Sequence, residues 1–550
     1  MSKHFPVYCQ LRFIFNSLWI SFLILNFGFV SYAKGDPLQT QVQVINNYIE
    51  QDNIVQAKAA IDKLWDEYES DDGFVAAVRS IKDKCWMKGE FETHFALCEQ
   101  LIEEFPNSDE IMDVWADDIT GYIRTQNSEK AMKQLDKFWS ACNDEEGFIL
   151  RVRYIKDVCW VEEDYTNHFD ICDRVVEAFP DDSISIRIAA DCVTGYIRLG
   201  KMDVANEKLQ GFWQEYGSHD LFIDNIIYVK DVCWLMKEYD EHFELCDKIA
   251  STFLDDSRAM QMRVDEITGY VKLGKESNAE EKIKVLLEES TEDSQLPEAV
   301  RKVADCYREK LQFEKAQSLY NTITTNWPEE KSNIWIRAGQ AIVESELNSD
   351  PNVVANELAE LKAEYAGDDD IDMVMFEMAY ACYSKGLRSN GKGEQKQRDK
   401  YFDKAAEIWE DMDFDNISDH EAMRGNYLLG DCHRKRGDFT KSNQYFKKVV
   451  DDSNDEGMAS NSLLVIAKNF RDSNAKSVGN LKQVDLIDSY EGTAAVSIVD
   501  PNDTSVSTVN TDSVNSLGVN GEIGAYKLLT EKYPETPAGI HAKRVLSHLE

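Results

Sequence analysis

From about residue 38 to 472, and again from about 520 to 549, apolar side chains return every three to four residues with polar residues between them. That period predicts amphipathic α-helices. Triplets spaced i, i+4 and i+7 (Ala57, Ile61, Leu64; Ala131, Leu135, Phe138; Ala205, Leu209, Phe212) draw a single stripe on one helix. Such a stripe is buried when it closes on the stripe of the next helix. Glycines fall where the chain must turn between helices, and Pro106, Pro180, Pro328 and Pro534 fall where a second helix must stop.

A longer rhythm lies over the short one. Cys85-Trp86, Cys159-Trp160 and Cys233-Trp234 are 74 residues apart, each preceded by Lys-Asp (Lys82-Asp83, Lys156-Asp157, Lys230-Asp231). His94, His168 and His242 keep the same step, as do Cys98, Cys172 and Cys246. So do the Thr-Gly-Tyr runs from Thr120, Thr194 and Thr268, and Trp65, Trp139 and Trp213. A period of 74 that divides into two units of 37 marks an array of stacked helical hairpins, in which two kinds of hairpin alternate. Beyond about residue 290 the echo fades while hairpins continue.

The hairpins resemble the tetratricopeptide repeat (TPR). Gly89-Glu-Phe91 followed by His94, Cys98, Leu101 and Phe105-Pro106 follows that family's order of turn, packed positions and terminating proline, with histidine where the family has alanine. Gly200-Lys-Met202 with Ala205, Leu209 and Phe212 follows it more closely. So does Cys306-Tyr307 with Phe313, Ala316, Tyr320, Ile323 and Pro328. Gly430, Gly437-Asp-Phe439, Phe446 and Val449 form another hairpin, and 331–365 and 369–412 read as weaker ones, the second split by a hydrophilic loop, Ser389 to Arg398. The resemblance implies an all-α, right-handed superhelical solenoid of about twelve antiparallel hairpins with a polar closing helix.

The expected division is a signal peptide over 1–33, the array with three 74-residue repeats over 34–291, further hairpins over 292–472, a disordered insertion over 473–519, and closing helices over 520–550. Lys3 and Arg12 precede a mostly apolar stretch from Phe13 to Val30, and Ser31-Tyr32-Ala33 offers small residues for cleavage. An uncleaved anchor is the alternative, since 18 residues can just span, but Asn16, Asn26 and Gly28 count against it. The chain is therefore expected to be exported, periplasmic or extracellular, with no membrane span after cleavage. The insertion, rich in Ser, Thr, Asn and Asp, has no helical period and a composition that favours disorder.

The formal net charge is −41, and −43 without the leader's Lys3 and Arg12. So acidic a surface repels nucleic acid and anionic membranes. No Gly-x-Ser-x-Gly, phosphate-cradling glycine loop, His-Glu-x-x-His or haem-attachment motif occurs. Enzymatic activity is therefore not expected, and neither cofactor nor metal is assigned.

Eleven of the twelve cysteines follow the leader, and six form three equivalent pairs, Cys85/Cys98, Cys159/Cys172 and Cys233/Cys246. Each pair lies at matching heights on antiparallel helices, which in an exported protein suits a disulfide stapling each hairpin. Reduced thiols filling small core positions are the second reading. A metal held by Cys-x8-His-x3-Cys is the third, with its three ligands and open fourth position.

Carried over residue by residue, the resemblance places ligands along the first helices of the hairpins. Asp83, Trp86, Asp157, Trp160, Asp231 and Trp234 would then alternate with Thr120, Arg124, Thr194, Arg198, Thr268 and Lys272. Such a groove implies a scaffold that clamps a protein or peptide in envelope assembly or transport, with tryptophans as apolar anchors. Tryptophans stacking on a polysaccharide and a structural spacer are the alternatives. Each Trp packing against the next hairpin is the bland counterpart.

Overall fold

The computed structural model describes residues 37–289, 293–368, 370–477 and 521–549. The expected signal peptide lies outside these residues, and so does nearly all of the expected insertion. The chain divides into two compact units between Ile249 and Ala250. Among the described residues every regular element is helical.

The first unit begins with five hairpins: Pro37–Glu50 with Ile54–Tyr68, Phe74–Lys88 with Phe91–Glu104, Ile111–Arg124 with Ser128–Cys142, Phe148–Val161 with Tyr165–Ala178, and Ser183–Arg198 with Met202–Tyr216. A sixth pairs Phe222–Met236 with Tyr239–Thr252, the helix in which the division falls. The second unit continues with Ser257–Leu273 and Glu276–Glu289, Leu296–Glu309 and Phe313–Asn326, Ile334–Asn348 and Asn352–Glu364, Ile371–Gly391 and Gln395–Glu410, and Asp419–Lys435 and Phe439–Asp452. Glu456–Ser477 then packs on Gly521–Lys532, and Pro537–Leu549 closes the stack. Twelve hairpins and a closing helix among the described residues match the helical-repeat expectation.

Short polar side chains start several helices by accepting the free backbone N–H groups of the first turn: Asn53 from Gln56, Asn127 from Lys130, and Asp164 from Asn167. Helices end at Glu104, Ala178, Asn326 and Lys532, just ahead of the four prolines noted above. The turn inside the second, fourth and sixth hairpins needs one residue with positive φ, and Gly89 supplies it at +79° in the second. At the same position Glu163 and Lys237 adopt φ of 63° and 70°, so the turn favours glycine without requiring it.

The predicted loop over 389–398 is instead mostly helix. Ile371–Gly391 runs through its first three residues and Gln395–Glu410 through its last four. Its polar residues satisfy one another inside the joint: Ser389 and Arg398 are buried, and the Arg398 guanidinium donates to Asn390 Oδ1 at 3.2 Å.

Candidate functional site

The three cassettes fold alike. Lys82, Lys156 and Lys230 lie one residue before the half-exposed Asp83, Asp157 and Asp231, yet their own side chains point inward and are fully buried. The Lys82 ammonium donates to Asp83 Oδ1 and, on the next hairpin, to Asp117 Oδ2, both at 2.7 Å. Lys156 meets Asp157 at 2.8 Å and Asp191 at 2.7 Å, and Lys230 meets Asp231 at 2.9 Å. Burial alone would pull the Lys82 and Lys156 ammonium groups below the ordinary lysine value. The facing carboxylates outweigh it and hold both above that value. Each joint thus encloses a permanent cation neutralised by carboxylates at its rim.

The histidines complete these joints. Nδ1 of His94, His168 and His242 lies 3.1, 2.9 and 3.1 Å from the carbonyl oxygen of Lys82, Lys156 and Lys230. A carbonyl can only accept, so the proton is on Nδ1, and Nε2 is left to face the thiol of Cys98, Cys172 and Cys246 at 3.7, 3.8 and 3.6 Å. Burial, reinforced for His94 by the lysine charge, lowers the imidazole pKa values, that of His168 to about 4. His94 and His168 are therefore neutral packing groups, and His242 keeps the same hydrogen-bond geometry.

Trp86, Trp160 and Trp234 pack on those imidazoles with ring centroids 5.1, 5.0 and 5.0 Å apart, and on Phe91, Tyr165 and Tyr239 at 4.8, 5.0 and 5.0 Å. The Thr-Gly-Tyr run receives this aromatic group on the following hairpin. A Cβ at Gly121 would stand 2.8 Å from Phe95 and 3.3 Å from Trp86; at Gly195 it would stand 2.9 Å from Phe169 and 3.1 Å from Trp160. The tyrosine that follows stacks flat on the same phenylalanine, Tyr122 on Phe95 at 3.8 Å and Tyr196 on Phe169 at 3.7 Å. Glycine is needed there because its missing side chain is the space the aromatic rings occupy.

This geometry revises most of the predicted ligand groove. Thr120 and Thr194 are fully buried, and their hydroxyls donate to the carbonyls of Asp117 and Asp191 on their own helices; half-buried Thr268 does the same to Asp265. Arg124 and Arg198 bridge hairpins by donating to the hydroxyls of Tyr154 at 3.1 Å and Tyr228 at 2.8 Å. Lys272 is exposed. The tryptophans are half-buried wedges between hairpins rather than open anchors.

The expected disulfides are absent from this structure: all eleven described cysteines are buried free thiols. The Cys98, Cys172 and Cys246 sulfurs each face the imidazole one turn earlier on their own helix. Among the described residues no three His, Cys, Asp or Glu side chains converge as a metal set, so Cys85, His94 and Cys98 do not form the three-ligand arrangement.

A surface strip remains. One helical turn beyond Asp83, Asp157 and Asp231 stand Met87, Val161 and Leu235, which are 61%, 48% and 63% exposed. Residues i and i+4 share a helix face. The first helix of the second, fourth and sixth hairpins therefore presents a carboxylate and an open aliphatic group side by side. The aliphatic members are not identical residues, so the repeat conceals them, although they keep the 74-residue step.

No family model matches the chain, and no curated protein matches it. Among solved structures, one described as Naa15/Naa10 bound to HypK-THB superposes with a TM-score of 0.33 and 11% identity over 82% of this chain and 69% of that one. A likeness of that size constrains neither fold nor partner.

Proposed function

We propose that this chain is a non-enzymatic helical scaffold, exported to the periplasm or the exterior, that binds a protein or peptide partner along the first helices of its second, fourth and sixth hairpins. The reading rests on the recurrence of exposed Met87, Val161 and Leu235 at one repeat position. Scattered apolar residues on a surface need no explanation, whereas apolar groups repeated in register suit a contact face. Asp83, Asp157 and Asp231, each fixed by its buried lysine, supply carboxylates beside them at low ordering cost. The partner's complementary surface is then apolar with basic neighbours. Sugar stacking is less well supported, because the tryptophan rings are engaged with His and Phe or Tyr rings.

The test is a Met87→Glu, Val161→Glu, Leu235→Glu triple variant used as bait against native envelope extract, beside the wild-type chain. A protein captured by wild type should be lost by the variant while the melting temperature is unchanged. Equal capture by both would overturn the contact face.

A further inference from the structure

The first two cassettes carry the same arginine with opposite companions. In the first, Arg79 is neutralised by the start of the next hairpin: its Nη1 donates to Glu110 at 2.7 Å, and its Nη2 stands 3.6 Å from Asp113. One step of 74 later Arg79 becomes Arg153, while Glu110 and Asp113 become Ile184 and Arg187. The joint itself is retained, because Lys156 reaches Asp191 at the same 2.7 Å as Lys82 reaches Asp117. Arg153 lies three residues before Lys156 and Arg187 four before Asp191, so each shares a helix face with one end of that bridge, one turn away. Two arginines therefore adjoin where the first cassette sets an arginine against two carboxylates. The carboxylates one turn on are committed to Lys156, Asp157 at 2.8 Å and Asp191 at 2.7 Å. Among the described residues neither Arg153 nor Arg187 has a hydrogen bond or ion pair. The Arg153 Nε is enclosed while its terminal Nη groups are open, and Arg187 is exposed. A further step of 74 gives Ile227 and Gln261, so the pair belongs to the second cassette alone of the three.

We propose that Arg153 and Arg187 form a binding site for a phosphate group, free or as a monoester, at the joint of the fourth and fifth hairpins. The bound anion stands in for the carboxylates that Glu110 and Asp113 supply in the first cassette, and it relieves the repulsion between two adjoining cations. A guanidinium gives two parallel N–H bonds to an oxyanion. One such fork occupies both oxygens of a carboxylate, whereas the three terminal oxygens of a phosphate monoester accept from two forks at once. The setting is unusual for this chain, whose formal net charge is −41. Phe148–Val161 carries Arg151, Arg153 and Lys156 against Asp157, and Ser183–Arg198 carries Arg187 and Arg198 against Asp191. A local excess of cations on an acidic molecule admits a single phosphate group while the remaining surface repels polyanions. The site goes beyond the contact face of Met87, Val161 and Leu235, since it requires no apolar partner surface.

The full-length chain is titrated by calorimetry in low-salt chloride buffer with inorganic phosphate, with phosphoserine blocked at both ends, and with acetate. Saturable phosphate binding is expected, with acetate bound at least about tenfold more weakly, the loss of one charge-assisted pair of hydrogen bonds. Blocked phosphoserine binding as well as phosphate assigns the site to an ester, and binding of inorganic phosphate alone assigns it to the free ion. Arg187→Asp restores the residue of the first cassette, so it should fold with Arg153 paired to the new carboxylate and lose phosphate binding. Arg153→Gln should lose it too and serves if the aspartate variant fails to fold. Lys133→Asp makes the same change of charge at an exposed position on Ser128–Cys142 and should alter binding by less than about twofold. Equal weakening by Arg187→Asp and Lys133→Asp, acetate bound as tightly as phosphate, or no saturable phosphate binding by the wild-type chain would each overturn the proposal. None of these readings uses a protein partner, so they are independent of the capture test for the contact face.

Discussion

The joints of the first unit and the eighth hairpin, Leu296–Glu309 with Phe313–Asn326 in the second unit, solve one packing problem with opposite chemistry. Another step of 74 from Lys230-Asp231 leads to Ala304-Asp305, and the same step takes Trp234, His242 and Cys246 to Arg308, Ala316 and Tyr320. The carboxylate stays while everything around it changes. In the first unit a buried ammonium from the first helix neutralises it. In the second, Arg301 reaches Asp305 Oδ2 at 2.5 Å and Arg308 reaches Oδ1 at 3.4 Å, while the buried Tyr320 hydroxyl donates to Oδ1 from the second helix. Ala304 and Ala316 are fully buried and vacate the volume that lysine and histidine fill elsewhere. The fading of the repeat is thus a redistribution of volume and charge: three large groups and one thiol give way to two alanines, an arginine and a tyrosine.

If the two solutions are self-contained, Lys156→Ala should be the most damaging single change. It leaves Asp157 and Asp191 facing an empty slot, and breaking such a pair costs roughly 3–5 kcal/mol. Denaturant melts would measure this. Adding His168→Ala and Cys172→Tyr, the set found at the later step, should recover part of the loss. A triple variant no more stable than the single would break the comparison.

Next comes a pH-dependent gain. Burial lifts the Asp118 carboxyl to about 7, against 3.8 ordinarily, with the Gln134 hydrogen bond pulling the other way. The folded form holds the proton more tightly, so between about pH 4 and 7 stability falls as pH rises, and the penalty is complete above 7. Asp118→Asn should remove it, stabilising at pH 8 by at most roughly 4 kcal/mol and by almost nothing at pH 4, since one pKa unit is about 1.4 kcal/mol. Melting curves at the two pH values decide it; equal effects at both would reject the buried-carboxyl account.

Much of this architecture is legible in the sequence, because the hairpins repeat in register and prolines mark where second helices stop. The site is less legible, for reasons that can be named. Lys82 recurs with Asp83 in the sequence, but lysine is rarely interior, and only the structure reveals its burial and Asp117 as its second partner. The resemblance places Thr120 in the groove, yet its hydroxyl is satisfied three residues back on its own helix. Met87 is open, and no sequence signal marks it, because the residues at its repeat positions differ. Level cysteines read as bonded, but spacing along two helices does not specify their rotation. The 389–398 segment reads as a loop because its inward positions are Ser389 and Arg398 rather than apolar residues.

Two smaller effects sharpen the contrast. Gly195→Ala forces a Cβ against Phe169 and Trp160 and should cost about 1–3 kcal/mol, the range for an overfilled site. Gly211→Ala, on the exposed face of Met202–Tyr216 with nothing within 4 Å, is the control and should not destabilise. Tyr320→Phe deletes one donor to Asp305 while keeping the ring and should cost about 1–2 kcal/mol. A larger loss there, read from the same melts, would mean that the hydroxyl matters more than the two arginines.

The Thr-Gly-Tyr joint also governs how such a chain can change length. Counted in chain order, odd hairpins carry the glycine hollow and even hairpins carry the aromatic pair that fills it, as with Gly121 against Phe95 and Trp86. The opposite junction, from odd to even, is built differently, on Trp139 set edge-on to Phe148. Removing one hairpin would bring two like faces together, hollow to hollow or ring to ring. Removing or inserting a whole 74-residue step leaves both junctions matched. Loss or duplication of sequence is therefore tolerated in doublets, and an engineered variant meant to be shorter or longer must keep the alternation intact.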